Sequence, residues 1–548
     1  MPLRFAAGSS QSYAYPLLLG QFLPETNDAA QQSEIVYRDE YRGDYAGLRS
    51  RVGRLATTLA SCGVEQGTVV AMMDWDSHRY LEAYFAVPMM GAVLQTVNVR
   101  LSVEQIAYTL AQTGAEVLVF HLDFAPLVES LSHRLPALRQ RILIADGVPE
   151  PGIEGIMGEY EELLDRNCAN FDFEEFDENA IATTFHTTGT TGLPKAVSFS
   201  HRQLVLHTIA VGMAVANQPI GQGARRGDVY MPLTPMFHVH AWGMPYIATL
   251  LRLKQVYPGR YEPGALLALQ AREGVTFSHC VPTILQMLLA ALPVGGQVSG
   301  DWTMLIGGAP MHEDLRLAAK AAGISAVSGY GMSETGPVIS MARAENREAE
   351  VAGARTRAGY PVPLVKTRIA ELGGASGQGE LLLRAPWLTQ GYSGQEEASE
   401  ALWHGGWLRT QDVARMTTAG EIEIVDRMKD VIKTGGEWLS SAQLEDLVIQ
   451  HPRIAEAAFI GIPDPRWGER PFAVLVLKDP EAIFAIETLR MHLGAFAAAG
   501  VISRYAVPDR MLVLSALPRT SVGKIDKKAL RLLAENAATK LPSGAPDQ

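Results

Sequence analysis

The chain has 548 residues, an apolar content of 47% and a formal net charge of −12 at pH 7. This length exceeds what one hydrophobic core serves, so we expect more than one domain, and the acidic balance argues against nucleic-acid binding through a basic face. Widely separated cysteines, no signal-peptide pattern and no apolar run of about 18 residues predict a cytoplasmic protein without a disulfide framework or membrane span.

The first part of the chain alternates between apolar runs of strand length and segments with helical periodicity. The predicted strands cover residues 69–73, 91–97, 116–120 and 141–145, and the predicted helices cover residues 79–90 and 102–112. This alternation predicts a parallel α/β architecture. The acidic stretch 149–177 is predicted to be an irregular connection.

The alternation resumes beyond residue 274 and then gives way to hairpins. The predicted strands are 275–281, 303–306 and 324–328, the helices 283–292 and 313–322, and the hairpin strands 366–371, 380–384 and 421–425. The C-terminal part predicts a small α+β domain with helices 442–450, 481–496 and 527–534 and strands 455–460, 472–477 and 510–514. We therefore predict a division into residues 1–426 and 427–548.

A loop rich in glycine and threonine lies at the centre of the chain. Residues 187–195 read Thr187, Thr188, Gly189, Thr190, Thr191, Gly192, Leu, Pro and Lys195. The run 182–186 predicts a strand before the loop, and Ser200 with Gln203 predicts a capping box for a helix after it. Small residues, hydroxyls and one lysine suit a triphosphate cradle, although such a loop can also be a plain linker. A P-loop is excluded because leucine, not lysine, follows Gly192.

This loop resembles the signature of the adenylate-forming superfamily, which contains acyl- and aryl-CoA synthetases, peptide-synthetase adenylation domains and beetle luciferases. One departure is Ala196, where the family often has glycine. The resemblance implies a large N-terminal domain of parallel α/β sheets with a β-rich subdomain, and a small mobile α+β C-terminal domain. It also implies ATP, Mg²⁺ and coenzyme A as cofactors or co-substrates.

A second motif, Gly329 to Thr335, follows a predicted strand and reads as an ordinary αβ turn or as a nucleotide contact. By resemblance, Tyr330 contacts adenine and Thr335 contacts phosphate, and Gly329, Gly331 and Met332 are further expected nucleotide-binding positions. Glu334 and Thr190 would bind Mg²⁺, for which a carboxylate is a suitable hard ligand. The segment Gly307, Gly308, Ala309 and Pro310 resembles the backbone platform for the adenine edge.

The remaining nucleotide residues lie in the late hairpins and the C-terminal part. By resemblance, Asp412 binds the ribose hydroxyls and Arg427 lies near ribose and phosphate, with Gln411 standing where the family commonly has glycine. Lys429 matches the family hinge. Gly435 and Gly436 are expected to approach the pantetheine arm of CoA, and Lys433, Glu437 and Trp438 beside them are further expected cofactor-binding positions. Lys524, with Arg519, Thr520 and Gly523 at the family spacing, matches the catalytic lysine.

The apolar segment 235–245 contains two histidines but no third ligand, which argues against a metal site. It is similar to the acid-binding segment of bacterial medium- and long-chain fatty acyl-CoA synthetases. The resemblance implies that Phe237 and His238 lie beside the substrate carboxylate and that Trp242 gates an acyl tunnel. His240 is a departure, because family members often have Asn or Ala there. Lys195, His238 and Lys524 are the predicted catalytic residues.

We therefore predict an ATP-dependent acyl-CoA synthetase, with a fatty acid, ATP and CoA as its small-molecule partners. A carboxylic acid with a pKa near about 4 is already ionised at neutral pH, so its attack on the α-phosphate needs no general base. The alternatives are an acyl-AMP ligase that loads a carrier protein in trans, a CoA ligase for aryl or short thioether acids, and a silent nucleotide-binding paralogue. A homodimer is expected from the resemblance alone.

Overall fold

The structure of the protein is a computed structural model. It describes residues 3–4, 6, 8–24, 33–131, 133–147, 155–187, 193–219, 221–343, 357–371, 377–435, 437–519 and 525–538. Five residues of the central loop, Thr188 to Gly192, lie outside the described residues, as do Gly436 and Thr520 to Lys524.

The strands are numbered in chain order. They are β1 Glu34–Tyr37, β2 Tyr41–Asp44, β3 Val69–Met73, β4 Val93–Thr96, β5 Val117–His121, β6 Gln140–Ile144, β7 Gly158–Glu159, β8 Ile181–Thr187, β9 Lys195–Ser200, β10 Val229–Pro232, β11 Lys254–Tyr257, β12 Phe277–Cys280 and β13 Trp302–Ile306. They continue as β14 Ile324–Gly331, β15 Val338–Met341, β16 Tyr360–Pro361, β17 Lys366–Glu371, β18 Gly379–Arg384, β19 Trp403–His404, β20 Trp407–Met416, β21 Ile422–Arg427, β22 Ile432–Thr434, β23 Glu437–Leu439, β24 Ile454–Asp464, β25 Gly468–Leu477 and β26 Arg510–Val513.

Most helices lie between these strands, as the alternation predicts. The α-helices are Tyr45–Ser61, His78–Met89, Val103–Thr113, Ala125–Leu131, Tyr160–Arg166, His201–Ala216, Met244–Leu250, Pro263–Glu273, Pro282–Ala291, Glu313–Ala321, Glu396–Leu402, Ser441–Ile449, Ile486–Ala498 and Lys527–Ala538. Ser102 and Ser200 each form a capping box, which fixes where the helices Val103–Thr113 and His201–Ala216 begin.

Two large sheets form most of the N-terminal part. The nine-stranded sheet has the order β16-β15-β14-β13-β12-β10-β11-β1-β2, and the seven-stranded sheet has the order β7-β6-β5-β3-β4-β8-β9. Their inner strands pair in parallel, with antiparallel pairs at the edges. Tyr37 of β1 and Phe185 of β8 share one hydrophobic core, so the two sheets pack together. The predicted α/β class is confirmed.

The central motif contains one strand that the sequence analysis did not predict, β9, which lies between the loop and the predicted helix. β9 pairs antiparallel with β8, with Thr187 opposite Lys195, and the helix begins at His201, directly after its predicted cap Ser200. Val197 and Phe199, two residues apart on one face of β9, are both buried in the core that the two large sheets share.

Two other element predictions were wrong. The stretch predicted to be irregular, 149–177, contains β7 and the helix Tyr160–Arg166. The helix predicted from residue 481 begins at Ile486, because Ala485 is the extended N-cap residue. Ile483 in the preceding loop is 90% exposed, so its apolar side chain does not belong to a buried helical face.

The remaining strands form two smaller sheets. The sheet β17-β18-β20-β19, with β21 beside β20, is antiparallel, as the hairpins predict. The sheet β23-β22-β25-β24, with β26 beside β25, belongs to the chain after residue 431 and has its own core around Ile432, Phe459 and Leu489. The boundary between residues 426 and 427 stays a prediction.

A side-chain contact joins the helix Ser441–Ile449, which packs on the sheet β23-β22-β25-β24, to the part of the chain that forms the nine-stranded sheet. His312, which precedes the helix Glu313–Ala321, contacts the carboxylate of Asp446 on the helix Ser441–Ile449. Among the residues that the structure describes, no helix combines the length and the apolar character that a membrane span requires.

Candidate functional site

The stem of the central loop is built from the adjoining ends of β8 and β9. Thr187 ends β8 and Lys195 begins β9, and the two residues face each other in the antiparallel ladder. This pairing places the predicted lysine at the mouth of the loop. The positions Thr188, Gly189, Thr190, Thr191 and Gly192, which the sequence assigned to phosphate and metal binding, lie outside the described residues.

Tyr392 connects the lysine of this stem with the predicted metal ligand. The Lys195 ammonium lies 4.5 Å from the centroid of the Tyr392 ring, and the Tyr392 hydroxyl donates to Glu334 Oε1 at 2.7 Å. The backbone of this segment is fixed on β9, since the Ser393 N–H donates to the Ala196 carbonyl at 3.0 Å. The sequence analysis missed Tyr392, because only the folded chain brings it to Lys195 and Glu334.

Glu334 is a buried carboxylate in a turn that is held from two sides. Its exposed fraction is 7%, and its carbonyl accepts from the Thr389 N–H at 3.0 Å. Trp387 Nε1 donates to the carbonyl of Thr335 at 2.9 Å. A single buried carboxylate fits Mg²⁺, which takes one or two protein carboxylates and keeps phosphate and water oxygens. In the described part of the chain, no cluster of three His, Cys, Asp or Glu side chains could hold a metal by itself.

The hydroxyl of Thr335 forms hydrogen bonds with the backbone of its own turn. Its oxygen accepts from the Met332 N–H at 3.0 Å and lies against the carbonyls of Met332 and Pro337, and the residue is fully buried. The tight fold of this turn also explains Gly331, where a β-carbon would lie 1.7 Å from the Pro337 carbonyl oxygen. The phosphate contact assigned to Thr335 stays a prediction.

The predicted adenine and ribose residues meet at the end of β14. The Tyr330 hydroxyl donates to Asp412 Oδ2 at 2.5 Å, and Arg427 Nε lies 3.6 Å from Asp412 Oδ1. Arg427 is opposite Asp412 in the β20–β21 ladder. Burial and the Asp412 carboxylate raise the pKa of Tyr330 far above its usual range. The three residues therefore form one hydrogen-bonding and charged group.

Gln411, next to Asp412, adopts a left-handed backbone conformation with φ of +62°. Such a conformation favours glycine, which explains the glycine common at this position of the resembled motif. The carbonyl of Gln411 accepts from the Met428 N–H at 2.9 Å, and its N–H donates to Glu380 Oε1 at 3.1 Å. These bonds hold the backbone turn although the residue carries a side chain.

Trp242 connects the predicted acid-binding segment with the predicted adenine platform. The Trp242 ring lies so close to Gly307 that a β-carbon there would be 2.9 Å from Cη2, and 3.0 Å from the Gly329 carbonyl oxygen. Gly308 follows with φ of +77°. Trp242 is 5% exposed, and its ring centroid is 5.1 Å from that of His279. The acid segment therefore contacts the platform directly. The structure leaves the roles of Ala309 and Pro310 as predictions.

The predicted acid-binding segment contains a left-handed turn. Val239, His240, Ala241 and Trp242 have φ values of +49°, +54°, +46° and +59°, and Gly243 follows at +72°. Left-handed conformation is rare for residues with a β-carbon and costs about 1–2 kcal/mol per residue. Such strain persists only where neighbouring structure holds it, and it is concentrated at functional sites.

Contacts from the seven-stranded sheet and its helices hold the chain just before this turn. Asp76 Oδ1 accepts from the Met236 N–H at 2.8 Å, and Tyr84 donates to the Met236 carbonyl. Thr96 donates to the carbonyl of Phe237 at 2.9 Å. Phe237 is 3% exposed. His238, whose N–H donates to the Pro235 carbonyl at 2.9 Å, is half-buried and is the last residue before the turn.

His240 is enclosed by aromatic rings instead of hydrogen-bonding groups. Its ring lies 5.8 Å from Tyr84, 5.4 Å from Phe185 and 6.2 Å from Tyr246, measured between centroids. Neither ring nitrogen has a hydrogen-bond partner among the described residues. Burial lowers the pKa of His240 to about 3, so the ring is neutral at neutral pH.

The predicted hinge is held by the last helix. Arg531 donates to the carbonyl of Lys429 at 2.9 Å and to Asp430 Oδ1 at 2.8 Å. Burial lowers the pKa of Lys429. The hinge role of Lys429 concerns a motion, and it stays a prediction.

The predicted pantetheine residues lie in the small sheet. Lys433 faces Trp438 across the β22–β23 ladder, with its ammonium 4.9 Å from the indole centroid, and Glu437 is exposed beside them. Gly435 has φ of +58°. Their described contacts are with one another, with Trp467 and with β25, not with Glu334 or Asp412. Gly436 and Lys524, assigned to CoA binding and catalysis, lie outside the described residues.

Lys527, the first residue of the last helix, is an ion-paired side chain and not a solvated charge. Its ammonium lies 2.8 Å from Glu445 Oε1 and 2.6 Å from Ser441 Oγ, and its side chain is 14% exposed. The opposing Glu445 carboxylate is one cause of the raised pKa of Lys527. Lys528, the next residue, is exposed and is the solvated charge of this helix start.

The chain was compared with known families and proteins. The AMP-binding enzyme family matches residues 25–393, and the AMP-binding enzyme C-terminal domain matches residues 443–524. The long-chain-fatty-acid–CoA ligase of Thermus thermophilus is 38% identical over 533 residues, covering 94% of this chain and 95% of that protein. The 3-methylmercaptopropionyl-CoA ligase of Ruegeria pomeroyi is 35% identical over 508 residues, covering 89% and 91%.

A solved structure has the same fold. The anthranilate CoA ligase AuaEII, crystallised in complex with anthranoyl-AMP, superposes with a TM-score of 0.83 at 22% identity. The match covers 96% of this chain and 99% of that one.

Proposed function

We propose that this chain, which belongs to the AMP-binding enzyme family and is an acyl-CoA ligase, acts on medium- or long-chain fatty acids. In the first half-reaction the acid carboxylate attacks the α-phosphate of ATP, which gives acyl-AMP and releases pyrophosphate. In the second, the CoA thiolate attacks the acyl carbon and AMP leaves. The observation that carries the proposal is the contact of the Trp242 ring with Gly307, which joins the segment proposed to bind the acid to the segment proposed to bind adenine.

The residues of the site supply positioning and charge, which this chemistry requires. Asp412 would accept the ribose hydroxyls, with Tyr330 and Arg427 fixing its orientation. Lys195, beside the central loop, would neutralise phosphate charge. Glu334 would hold Mg²⁺ together with Thr190, and the ion would supply further neutralisation of the phosphates. Lys524 would bridge the attacking carboxylate and the α-phosphate.

Water exclusion is the task that the proposed small domain would perform. Acyl-AMP is open to hydrolysis, so a domain that closes over the site protects the intermediate. We propose that residues 427–548 form this domain and turn at Lys429 between the two half-reactions. Gly435 and Gly436 would then approach the pantetheine arm of CoA.

The support for a fatty acid is the apolar segment around Trp242 and the 38% identity with a long-chain-fatty-acid–CoA ligase. A second candidate is a short thioether acid, because a relative of 35% identity is named for 3-methylmercaptopropionate. The two candidates differ in the length of acyl chain that the site would bury.

A panel of acids in a CoA-dependent AMP-release assay tests the proposal. Burying one methylene is worth about 0.8 kcal/mol, so kcat/KM should rise roughly fourfold per CH₂ until the tunnel is full. Trp242→Ala should shift the preferred length. A preference for aromatic or short thioether acids would contradict the fatty-acid assignment, and acyl-AMP formation without CoA consumption would indicate an acyl-AMP ligase.

A further inference from the structure

Asp76 connects the two large sheets at the edge where their parallel strands end. It lies shortly after β3, and its carbonyl accepts from the N–H of Gly259, which lies shortly after β11, at 2.9 Å. Asp76 is 3% exposed, so this connection is buried. Ligands of open parallel α/β sheets bind at the carboxyl ends of the strands, which is the edge where Asp76 lies.

Both carboxylate oxygens of Asp76 accept hydrogen bonds from loops of the nine-stranded sheet. Oδ1 accepts from the Met236 N–H at 2.8 Å, and Oδ2 accepts from the Tyr261 hydroxyl at 2.5 Å. Met236 belongs to the loop after β10, and Tyr261 belongs to the loop after β11. One side chain from the seven-stranded sheet therefore holds two loops of the other sheet.

The Asp76 carboxylate is buried between neutral hydrogen-bond donors. The donors are a backbone N–H and a phenol, and burial raises the pKa of Tyr261 so far that this phenol stays protonated. Burial also raises the pKa of Asp76 to about 7, although both hydrogen bonds and the charge of the exposed Arg100 lower it. A buried carboxylate in such surroundings costs free energy, and groups of this kind are concentrated at functional sites.

The bond to Met236 holds the chain three residues before the left-handed turn 239–242. The four residues of that turn have positive φ values, and such strain persists only where the surrounding structure holds it. Other side chains hold the carbonyls of Met236 and Phe237, whereas the N–H of Met236 is held by Asp76. When Asp76 is ionised this bond is charge-assisted, and it is then stronger than a bond between neutral groups.

We propose that Asp76 is a positioning residue for the acid substrate. The proposal rests on the proposed function, in which the segment 235–245 binds the acid. By fixing Met236, Asp76 determines where Phe237 and His238 lie beside the substrate carboxylate, without touching the substrate itself. Asp76 therefore acts on acid binding, and it leaves nucleotide binding, which is proposed for other segments, unchanged.

The KM values for the acid and for ATP, measured by pyrophosphate exchange at pH 8, test this role. Asp76→Ala removes the acceptor of the Met236 N–H, so the KM for the acid should rise at least about tenfold, the loss expected for a hydrogen bond to a charged group. The KM for ATP should stay unchanged. Asp76→Asn keeps an acceptor for this N–H, so its KM for the acid should lie between those of the wild type and the alanine variant.

Asp74→Ala is the matched control, because Asp74 is as buried as Asp76 but bonds only within its own loop among the residues described. It accepts from the Ser77 hydroxyl at 2.5 Å and from the Trp75 N–H at 2.7 Å. This variant should lower the melting temperature and leave the KM for the acid unchanged. Equal increases in the KM for the acid in both alanine variants would overturn the proposal, as would equal increases in the KM values for acid and ATP in Asp76→Ala.

Tyr261→Phe is a milder variant that keeps the proposal testable if an alanine variant does not fold. It removes the hydroxyl that fixes Oδ2 of Asp76, so the KM for the acid should rise less than in Asp76→Ala, with the KM for ATP unchanged. In the double variant Asp76→Ala/Tyr261→Phe the second change should add nothing, because both act through the same carboxylate. A Tyr261→Phe variant with an unchanged KM for the acid, or additive effects in the double variant, would contradict the positioning role.

Isothermal titration of the acid without ATP separates this proposal from the proposed function. If the wild type binds an acid but exchanges no pyrophosphate, the proposed reaction fails, and at least about tenfold weaker binding by Asp76→Ala still supports the positioning role. If the wild type activates only short thioether or aromatic acids, the fatty-acid assignment fails, and the same comparison is made with those acids. Equal acid binding by the wild type and Asp76→Ala would overturn the role of Asp76 and leave the proposed function standing.

Discussion

Tyr392 donates its hydroxyl to the buried carboxylate of Glu334 at 2.7 Å, while its ring lies beneath the ammonium of Lys195. Burial and the Glu334 charge raise the pKa of Tyr392 far above its usual range, so the phenol stays a donor at every working pH. One side chain thus orients the proposed metal ligand and contacts the proposed phosphate-binding lysine. We expect Tyr392 to be a positioning residue for Mg²⁺.

Tyr392→Phe removes the hydroxyl and keeps the ring beside Lys195. Loss of a group that orients a metal ligand typically costs about ten- to hundredfold in metal affinity or activity. The Mg²⁺ concentration for half-maximal acid-dependent pyrophosphate exchange should therefore rise at least about tenfold, with the KM for the acid unchanged. Tyr108→Phe, a half-buried tyrosine of the helix Val103–Thr113, serves as control. An unchanged Mg²⁺ dependence would show that the hydroxyl is only structural.

The parts of this site that could be predicted from the sequence are short and continuous. The loop 187–195 and the turn 329–335 each carry their glycines, hydroxyls and charges within a few residues. Tyr392 could not be found in this way, since it lies 58 residues from Glu334 and meets it only through the fold. The left-handed turn at Val239 could not be predicted either, because hydrophobic periodicity carries no information on the sign of φ.

The backbone conformation at Gln411 explains why this position departs from the resembled motif. Gln411 replaces a commonly found glycine, and its φ of +62° shows why glycine suits the position. Gln411→Gly removes about 1 kcal/mol of backbone strain but adds a similar amount of unfolded-state entropy, so stability should stay within about 1 kcal/mol of the wild type. Gln411→Val should destabilise by about 1–3 kcal/mol, since a β-branched side chain fits this conformation poorly.

Thermal melting of the two Gln411 variants checks this prediction, and the KM for ATP reports whether Asp412 has moved. We expect the valine variant to melt lower and to bind ATP more weakly. A valine variant as stable as the glycine variant would contradict the assigned strain.

Buried histidines should make the protein sensitive to acid. Burial lowers the pKa of His240 to about 3, against about 6.5 in an unfolded chain. Between pH 6.5 and 3 the unfolded state therefore binds the extra proton, and the free energy of unfolding falls as the pH falls, by about 1.4 kcal/mol per pH unit for this one group. Above pH 6.5 His240 is neutral in both the folded and the unfolded state, so its titration no longer changes the free energy of unfolding.

His240→Asn removes this titration. Its melting temperature should drop less than that of the wild type between pH 7 and pH 5, even if the variant starts lower. His404→Asn, at an exposed position, should follow the wild-type curve. Parallel curves for wild type and His240→Asn would show that His240 is not neutral and buried in solution.

The ion pair of Lys527 and Glu445 joins the helices Lys527–Ala538 and Ser441–Ile449, and it should contribute to the stability of the C-terminal part of the chain. Glu445 also accepts from the Phe459 N–H at 2.8 Å, so Lys527→Met would leave a fixed, buried carboxylate without its charged partner. Such a loss costs about 3–5 kcal/mol, whereas replacing both charges by apolar groups is often nearly neutral. In thermal melting, Lys527→Met should lower the melting temperature more than Lys527→Met/Glu445→Leu does. A single variant that melts like the wild type would contradict the burial of this pair.

The burial of Lys527 makes it unsuitable as a control for the proposed catalytic lysine Lys524. Lys524 lies outside the described residues, but Arg519 and Ile525 pair in an antiparallel bridge, so the ends of its motif are adjacent. Lys527→Ala would disturb the helix that follows the motif and could mimic a catalytic defect. Lys528→Ala, which removes an exposed charge one residue further on, is the matched control.

Lys524→Ala should separate the two half-reactions. If the ammonium bridges the attacking carboxylate and the α-phosphate, its loss removes a charge-assisted contact made as acyl-AMP forms, worth on the order of 3–4 kcal/mol or about a hundred- to thousandfold in rate. Acid-dependent pyrophosphate exchange should fall by this factor. The same variant, given synthetic acyl-AMP and CoA, should form thioester at close to the wild-type rate, because we propose that the small domain has then turned at Lys429 and carried Lys524 away. Equal losses in both half-reactions, or a Lys528→Ala variant as impaired as Lys524→Ala, would rule out Lys524 as the adenylating lysine.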